Sequence, residues 1–428
     1  MPSMRAITSV MALVALVTIL SPLYANAEQV PQPPTKFQQF QINGAGATFP
    51  FPLIDLWRVE YNKLYSNVNL NYQSIGSGGG VKQHIEKTVD FTGTDAPLTT
   101  SERELAPKTL HIPEAIGGVT VVYNIPEIPN KGLKLTGNDI ADIYLGKIKK
   151  WNDPKIAQNN PGVVLPNTDI VPVRRSDGSG TTFVFTDYLS TVSSEFEKTV
   201  GKGKSVQWPV GLGAAGNEGV AGTVRSTTYS IGYVELAYAF QTGMSFAFVQ
   251  NGDKTAFIEP SLDSISAASA GVASTLPKAE ADWGKVTLVN APGKGSYPIA
   301  SFTYLLVYEN LEQSVKSKDQ AKALVHMIHW MITDGQKHSS KLLYVPLSDP
   351  VKEIGKQALG RVKYNGETLF QYSGLISSNT SSGTSPESTY EIPQWIRNTA
   401  KWWADGQISD SEYIKSLQYL ISRGILKV

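Results

Sequence analysis

No cysteine occurs among the 428 residues, which excludes disulfides, thiolate catalysis, zinc ribbons, iron–sulfur clusters and lipid attachment at a mature N-terminal cysteine. Histidine is scarce, with 5 in the chain, so few imidazoles are on hand for a metal or for base catalysis. Charge of one sign is also missing: 38 Lys+Arg against 37 Asp+Glu leaves +1, and no bulk field steers the chain toward nucleic acid or an anionic membrane. With 41% hydrophobic and only 18% charged residues, the composition supports a large core and argues against general disorder. What is abundant is small, turn-forming or hydroxyl-bearing: 37 Gly, 25 Pro and 19 Tyr suit a fold with many junctions between strands and helices. Function must then be built from backbone amides, hydroxyls and a few charges.

The two ends carry addresses rather than chemistry. Residues 1–27 contain Arg5, an apolar run over 10–20 and Ala25-Asn26-Ala27, the pattern of an export signal cleaved after Ala27. The alternative, an uncleaved anchor, meets Pro22 and a run shorter than the about 20 apolar residues that a spanning helix needs. Residues 28–39 form an N-terminal linker, and the chain is expected to work outside the cytoplasm, secreted, on the cell surface or in a periplasm-like space. Residues 373–390 are Ser/Thr-rich and read as a second linker, with a glycosylation sequon at Asn379-Thr380-Ser381. Residues 391–428 read as two helices bearing Trp395, Trp402 and Trp403. These aromatics either pack locally or dock on a cell surface or glycan.

Between these ends a single grammar recurs: a β-prone run, a Gly/Ser/Thr cluster, then a helical pattern. It occurs at Asn43-Gly44-Ala45-Gly46-Ala47-Thr48-Phe49-Pro50, at Ser74-Ile75-Gly76-Ser77-Gly78-Gly79-Gly80 and at Arg174-Arg175-Ser176-Asp177-Gly178-Ser179-Gly180-Thr181. The first leads into a helix with apolar positions Leu53, Leu56, Val59 and Leu64. Helix starts present unsatisfied N–H donors and about half a positive charge, glycine allows close approach, and hydroxyls add directed bonds. Such junctions describe an anion site; taken singly, Thr48, Ser77 and Ser179 also fit ordinary helix caps. In Val89-Asp90-Phe91-Thr92-Gly93-Thr94-Asp95-Ala96-Pro97 a short strand ends at Asp95, either a turn acid or a carboxylate among anion donors. In the second case Asp95 would repel a fully ionised ligand and accept a proton from one that keeps an acidic O–H, favouring hydrogen phosphate over sulfate without excluding arsenate.

With these strings in order, together with Asp142-Ile143-Tyr144-Leu145-Gly146 and Ser230-Ile231-Gly232-Tyr233-Val234-Glu235, the chain resembles the phosphate-binding proteins of high-affinity phosphate ABC importers, the PstS type, over roughly residues 40 to 350. The resemblance implies an α/β fold of two lobes, of the type II periplasmic-binding-protein kind, with two hinge strands and here a small C-terminal helical module. It implies lobe 1 at 40–116 and 297–372, lobe 2 at 117–296, and hinge strands near 117–123 and 298–307. Phosphate contacts fall on Thr48, Phe49, Ser77, Asp95, Arg175, Ser179, Gly180 and Thr181, with Asp177 orienting Arg175. The implied function is capture of inorganic phosphate and delivery to the permease subunits of the importer, by a monomer without catalytic residues, cofactor, metal or nucleic-acid partner. Two positions depart from the pattern: Ser176 stands where Ala is expected, and Gly78 where Ser is usual.

Other signals compete. Gly211-Leu212-Gly213-Ala214-Ala215-Gly216 matches G-x-G-x-x-G, but the preceding Gln207-Trp208-Pro209-Val210 is a poor parallel strand, and the stretch is expected to be a loop entering a helix. His326 and His329 lie one helical turn apart on an apolar helix over about 319–333, without a carboxylate to complete a metal set. Ser179 has no evident histidine base. Asp95 and Asp177 as an acid/base pair would make a secreted phosphatase, or another enzyme acting on phosphate esters, the alternative reading.

Overall fold

The computed structural model describes residues 30–128 and 131–372. The export signal, the Ser/Thr-rich linker with Asn379 and the Trp-rich module lie outside the described residues.

The first two junctions build one parallel unit. Strand β1 (Phe40–Gly46) runs parallel to β2 (Val68–Ser74) and to β3 (Phe91–Thr94), and helices α1 (Phe51–Leu64) and α2 (Ser77–Ile85) connect them. A short helix α3 (Thr100–Leu105) follows, started by a capping box between Thr99 and Glu102. Next comes β4 (Thr109–Asn124), a 16-residue strand buried along nearly its whole length. Such continuous burial means both faces are covered, which explains a run with little alternation.

The second half repeats the grammar. Strands β5 (Val171–Arg175), β6 (Leu212–Ala214) and β7 (Ser230–Glu235) are parallel where they pair, and helices α4 (Gly180–Val192) and α5 (Gly216–Ser226) follow β5 and β6. Strand β8 (Ala300–Tyr308) returns antiparallel to both β3 and β4. The sheet order is β2-β1-β3-β8-β4-β7-β5-β6, with the short strand Ser245–Phe246 also paired to β4. Residues 109–118 of β4 pair with β8 and residues 119–124 pair with β7, so this one strand belongs to both halves. The return is tied at the same level: Val119 N–H donates to the Ile299 carbonyl at 2.8 Å, and Tyr297 Oη donates to the Val119 carbonyl at 2.8 Å. The stretches expected as hinges lie in this central pair. Helices α6 (Lys318–Ile332) and α7 (Asp349–Arg361) complete the first half.

The register of β4 against β8 slips once. Thr303 faces Ala115 and Tyr304 faces Pro113, so Glu114 is the extra residue of a β-bulge. A bulge bends the strand and re-aims a side chain, here that of a fully buried glutamate.

One expectation about α1 is corrected. Its buried residues are Leu53, Ile54, Trp57 and Tyr61, while Val59 and Leu64 are exposed at 39% and 60%. Steps of three and then five drift around a 3.6-residue helix, and the face that stays aligned contains the aromatics. Trp57 Nε1 donates to the Gly335 carbonyl at 2.8 Å, and the Tyr61 hydroxyl meets His326 Nδ1 at 2.7 Å, so His326 is held in an aromatic cluster with Tyr65 and Trp330.

Sheet closeness at the first junction depends on Gly46. Its φ is +144°, and a Cβ there would stand 2.1 Å from the Gly93 carbonyl oxygen on the neighbouring strand. Gly46→Ala is expected to destabilise the fold by about 2–4 kcal/mol, since it combines a strained φ with forced separation of β1 from β3. Urea unfolding would show it as a lowered midpoint at unchanged slope.

Candidate anion-binding site

The C-terminal ends of the parallel strands converge on one crevice, as open α/β sheets tend to arrange their binding sites. From the first half come Thr48 after β1, Ser77 opening α2 and Asp95 just after β3. From the second come Arg175 closing β5, Ser179 and Gly180 at the start of α4, Thr181 behind them, and Asn217 in the first turn of α5. The two sets touch: Gly180 N–H donates to Ser77 Oγ at 3.1 Å, Gly78 N–H to the Gly178 carbonyl at 2.8 Å, and Asn217 N–H to Thr48 Oγ1 at 3.1 Å. Lys204 and Glu102 pair at 2.5 Å beside this contact, joining α3 to the loop before β6. Thr48, Phe49, Ser77, Asp95, Arg175, Ser179 and Thr181 are all at most 3% exposed.

The question of ordinary caps resolves residue by residue. Ser179 is a helix cap, its Oγ accepting from Thr182 N–H at 3.0 Å. Thr48 and Ser77 are not, because α1 and α2 start after Pro50 and Gly76 with no side-chain cap. Instead Thr48 Oγ1 accepts from Asn217 N and from Asn217 Nδ2 at 2.7 Å, while Thr181 Oγ1 accepts from Asn217 Nδ2 at 3.0 Å and from Arg175 at 3.4 Å. A hydroxyl has two lone pairs and one proton. With protein donors directed at their oxygens, these hydroxyls keep a proton to give to an acceptor in the crevice.

Arg175 and Asp177 form a bidentate pair, Nε to Oδ1 at 2.7 Å and a terminal nitrogen to Oδ2 at 2.5 Å, and Gly216 N–H adds a third bond to Asp177. Burial raises the Asp177 carboxyl, but the hydrogen bonds and charge of Arg175 outweigh that and hold it below its ordinary value. Asp177 therefore stays ionised and fixes the guanidinium plane. Tyrosines brace the junctions: Arg175 N–H donates to the Tyr233 hydroxyl at 3.2 Å, Tyr238 Oη donates to the Thr48 carbonyl at 2.6 Å, and Tyr344 Oη to the Phe49 carbonyl at 2.6 Å.

Asp95 is the exception among the donors. Its Oδ1 accepts from Thr303 Oγ1 at 2.9 Å, whereas its Oδ2, buried, has no hydrogen-bond partner among the described residues. Burial pushes this carboxyl up to about 7, against the hydrogen bond from Thr303, the charge of Arg175 and the polar Ser77 hydroxyl nearby. Oδ2 points at the start of α4: a Cβ on Gly180 would lie 2.3 Å from it and 2.4 Å from Ser77 Oγ, so only glycine fits there. A ring of N–H and O–H donors with one bare carboxylate acceptor is suited to an oxyanion that still carries a proton.

The structure also adds to and corrects the reading of the sequence. Residues 211–216 are not a plain loop: Leu212–Ala214 is the edge strand β6, and Gly216 opens α5 toward the crevice. This fourth strand–turn–helix junction supplies Asn217, whose signal was the same Gly-rich grammar as the other three. Thr303 and Glu114 carried no such signal, because a bulge places them. Of the two departures, Ser176 has an exposed side chain, and Gly78 lets the backbones touch, since a Cβ there would sit 2.9 Å from Gly178 Cα. Among the described residues no three His, Cys, Asp or Glu side chains group as metal ligands would.

Residues 31–333 match the model of the PBP superfamily domain. The phosphate-binding protein PstS of Pasteurella multocida is 44% identical over 337 residues, 77% of this chain and 93% of that relative. The phosphate-binding protein PstS of Methanocaldococcus jannaschii is 39% identical over 336 residues, 75% of this chain and 86% of the relative. Among solved structures, a human phosphate binding apolipoprotein shares the fold with a TM-score of 0.59 at 19% identity, covering 74% of this chain and 93% of that one. With matches of this identity and extent, the chain belongs to the PstS family of phosphate-binding proteins.

Proposed function

We propose that this protein captures inorganic phosphate outside the cytoplasm, in the crevice between two lobes, and delivers it to the permease subunits of a phosphate ABC importer. The lobes are residues 40–116 with 297–372, and 117–296, swinging on β4 and the return into β8. The observation that carries this reading is the bare Oδ2 of Asp95 facing the start of α4 among otherwise donating groups. Thr48, the Phe49 amide, Ser77, Arg175, Ser179, Gly180 and Thr181 saturate the phosphate oxygens, and Asp95 accepts the phosphate proton. Asp177 holds Arg175, and Asn217 orients the hydroxyls of Thr48 and Thr181. Contacts from both halves exist together only in the closed form, so the ligand favours closure. The protein works by binding, without a chemical step, and the likeness to relatives named as phosphate-binding proteins supports this over ester hydrolysis.

Isothermal titration of the anion-stripped full chain tests the reading. The expected result is one-to-one phosphate binding with sulfate silent. Equal heats for both anions would remove the role of Asp95, and silence with both would overturn phosphate capture.

A further inference from the structure

Three buried carboxyl groups lie around the crevice, and only Asp95 has been given a task. Glu114 is fully buried on the β4 bulge, and its Oε1 lies 3.1 Å from Thr303 Oγ1, the same hydroxyl that donates to Asp95 Oδ1 at 2.9 Å. A threonine hydroxyl has one proton. It can satisfy two carboxyl oxygens only by donating to one and accepting from the other, so one of the pair must carry a proton itself. The surroundings decide which. Arg175 faces Asp95, whereas among the described residues no cation is paired with Glu114 and its buried Oε2 has no hydrogen-bond partner. An unpartnered oxygen is tolerated far better as the carbonyl of a neutral acid than as half of a carboxylate.

We propose that Glu114 is a positioning residue for anion selection: as a neutral acid it donates to Thr303, which donates to Asp95, and this relay keeps Asp95 ionised with Oδ2 free to take the ligand's proton. The inference rests on the phosphate reading above. It deepens that reading by naming what holds the selecting carboxylate in its accepting form.

The groups facing the relay agree with this assignment. Burial, and then the charge of Asp95, raise Glu114 to about 8, against its hydrogen bond with Thr303, while Asp95 rises only to about 7. Tyr72 from β2, Tyr304 from β8, and Tyr238 and Tyr344 beside the crevice are all pushed above the ordinary phenol value by burial, and stay neutral through this range. Glu235 at the end of β7 is raised by burial; its Oε2 accepts from Ala237 N–H and lies 2.9 Å from the Tyr344 hydroxyl, whose proton goes to the Phe49 carbonyl. It is common to all the variants below. Ionising Glu114 would put a second negative charge next to Asp95 and leave Thr303 with too few protons, so phosphate binding weakens as Glu114 loses its proton.

The test is phosphate titration of the full chain from pH 8 to 9.5, where the free ligand is already the monohydrogen dianion, in two buffers of different ionisation heat. For the natural chain the affinity is expected to fall with pH, by up to roughly tenfold per pH unit for one coupled proton, with fractional proton uptake on binding. Glu114→Gln keeps an N–H donor for Thr303 that cannot be lost, so both the alkaline decline and its share of proton uptake are expected to vanish. Thr303→Val is expected to weaken binding, and Thr303→Ser to restore it. An identical alkaline decline in the natural chain and in Glu114→Gln, or full affinity in Thr303→Val, would overturn the relay while leaving phosphate capture standing. No phosphate binding by the natural chain would overturn both.

Discussion

Arg175→Ala is expected to weaken phosphate binding by about 3 kcal/mol or more, a loss on the order of a hundredfold, because the change leaves a buried anion without its main cationic partner. The Arg175 side chain is 1% exposed and tied in two bonds to Asp177, so no water shell stands ready to replace it. The same change strands Asp177, which then adds repulsion where it had oriented a donor. Arg175→Lys recovers only part of the loss, since an ammonium cannot keep the bidentate grip on Asp177 and also face the crevice. Titration calorimetry on both variants checks this, and a lysine variant equal to the natural chain would show that charge alone, not the fork geometry, is what the site uses.

Asp95→Asn is expected to have the largest effect on selectivity. An amide can offer either a donor or an acceptor, so the penalty against a fully ionised anion disappears, and preference for phosphate over sulfate is expected to shrink by about a hundredfold or more. Unchanged preference would remove Asp95 from anion discrimination. The substitution also has a consequence for stability, with a definite sign. The Asp95 carboxyl is raised by burial from an ordinary 3.8 to about 7, so its contribution is present in full below about pH 4 and is lost as pH rises toward 7. Without ligand, Asp95→Asn is thus expected to be more stable than the natural chain at pH 8, on the order of 2–4 kcal/mol, with the gap closing by pH 4. Urea unfolding at the two pH values measures it.

Most of the crevice was legible along the chain because its donors are local. Thr48, Ser77, Ser179, Gly180 and Thr181 each sit where a strand turns into a helix, and such turns need small residues and hydroxyls that leave a pattern in the sequence. Arg175 and Asp177 are two residues apart, so their pairing is local as well. Asn217 was legible in principle, but its Gly-rich turn resembled a dinucleotide fingerprint and its strand is three residues long, too short for alternation to announce. The face of α1 was misjudged where aliphatic spacing was followed at the expense of Trp57 and Tyr61, which carry more of the buried area.

Local sequence was enough to show a cysteine-free, charge-balanced α/β chain, with Gly/Ser/Thr-rich strand–helix junctions at defined positions and an acid, Asp95, close to one of them. It determined these because helix starts and glycine turns depend on neighbours a few residues away. It takes the folded chain to make β4 serve both halves, to bring Ser77 to Gly180 and Thr48 to Asn217, and to carry a second buried acid, on the Glu114 bulge, to Thr303 and Asp95. Those contacts join residues about 100 to 200 positions apart, and the protonation of a buried carboxyl depends on which charges fold around it rather than on its neighbours in the chain.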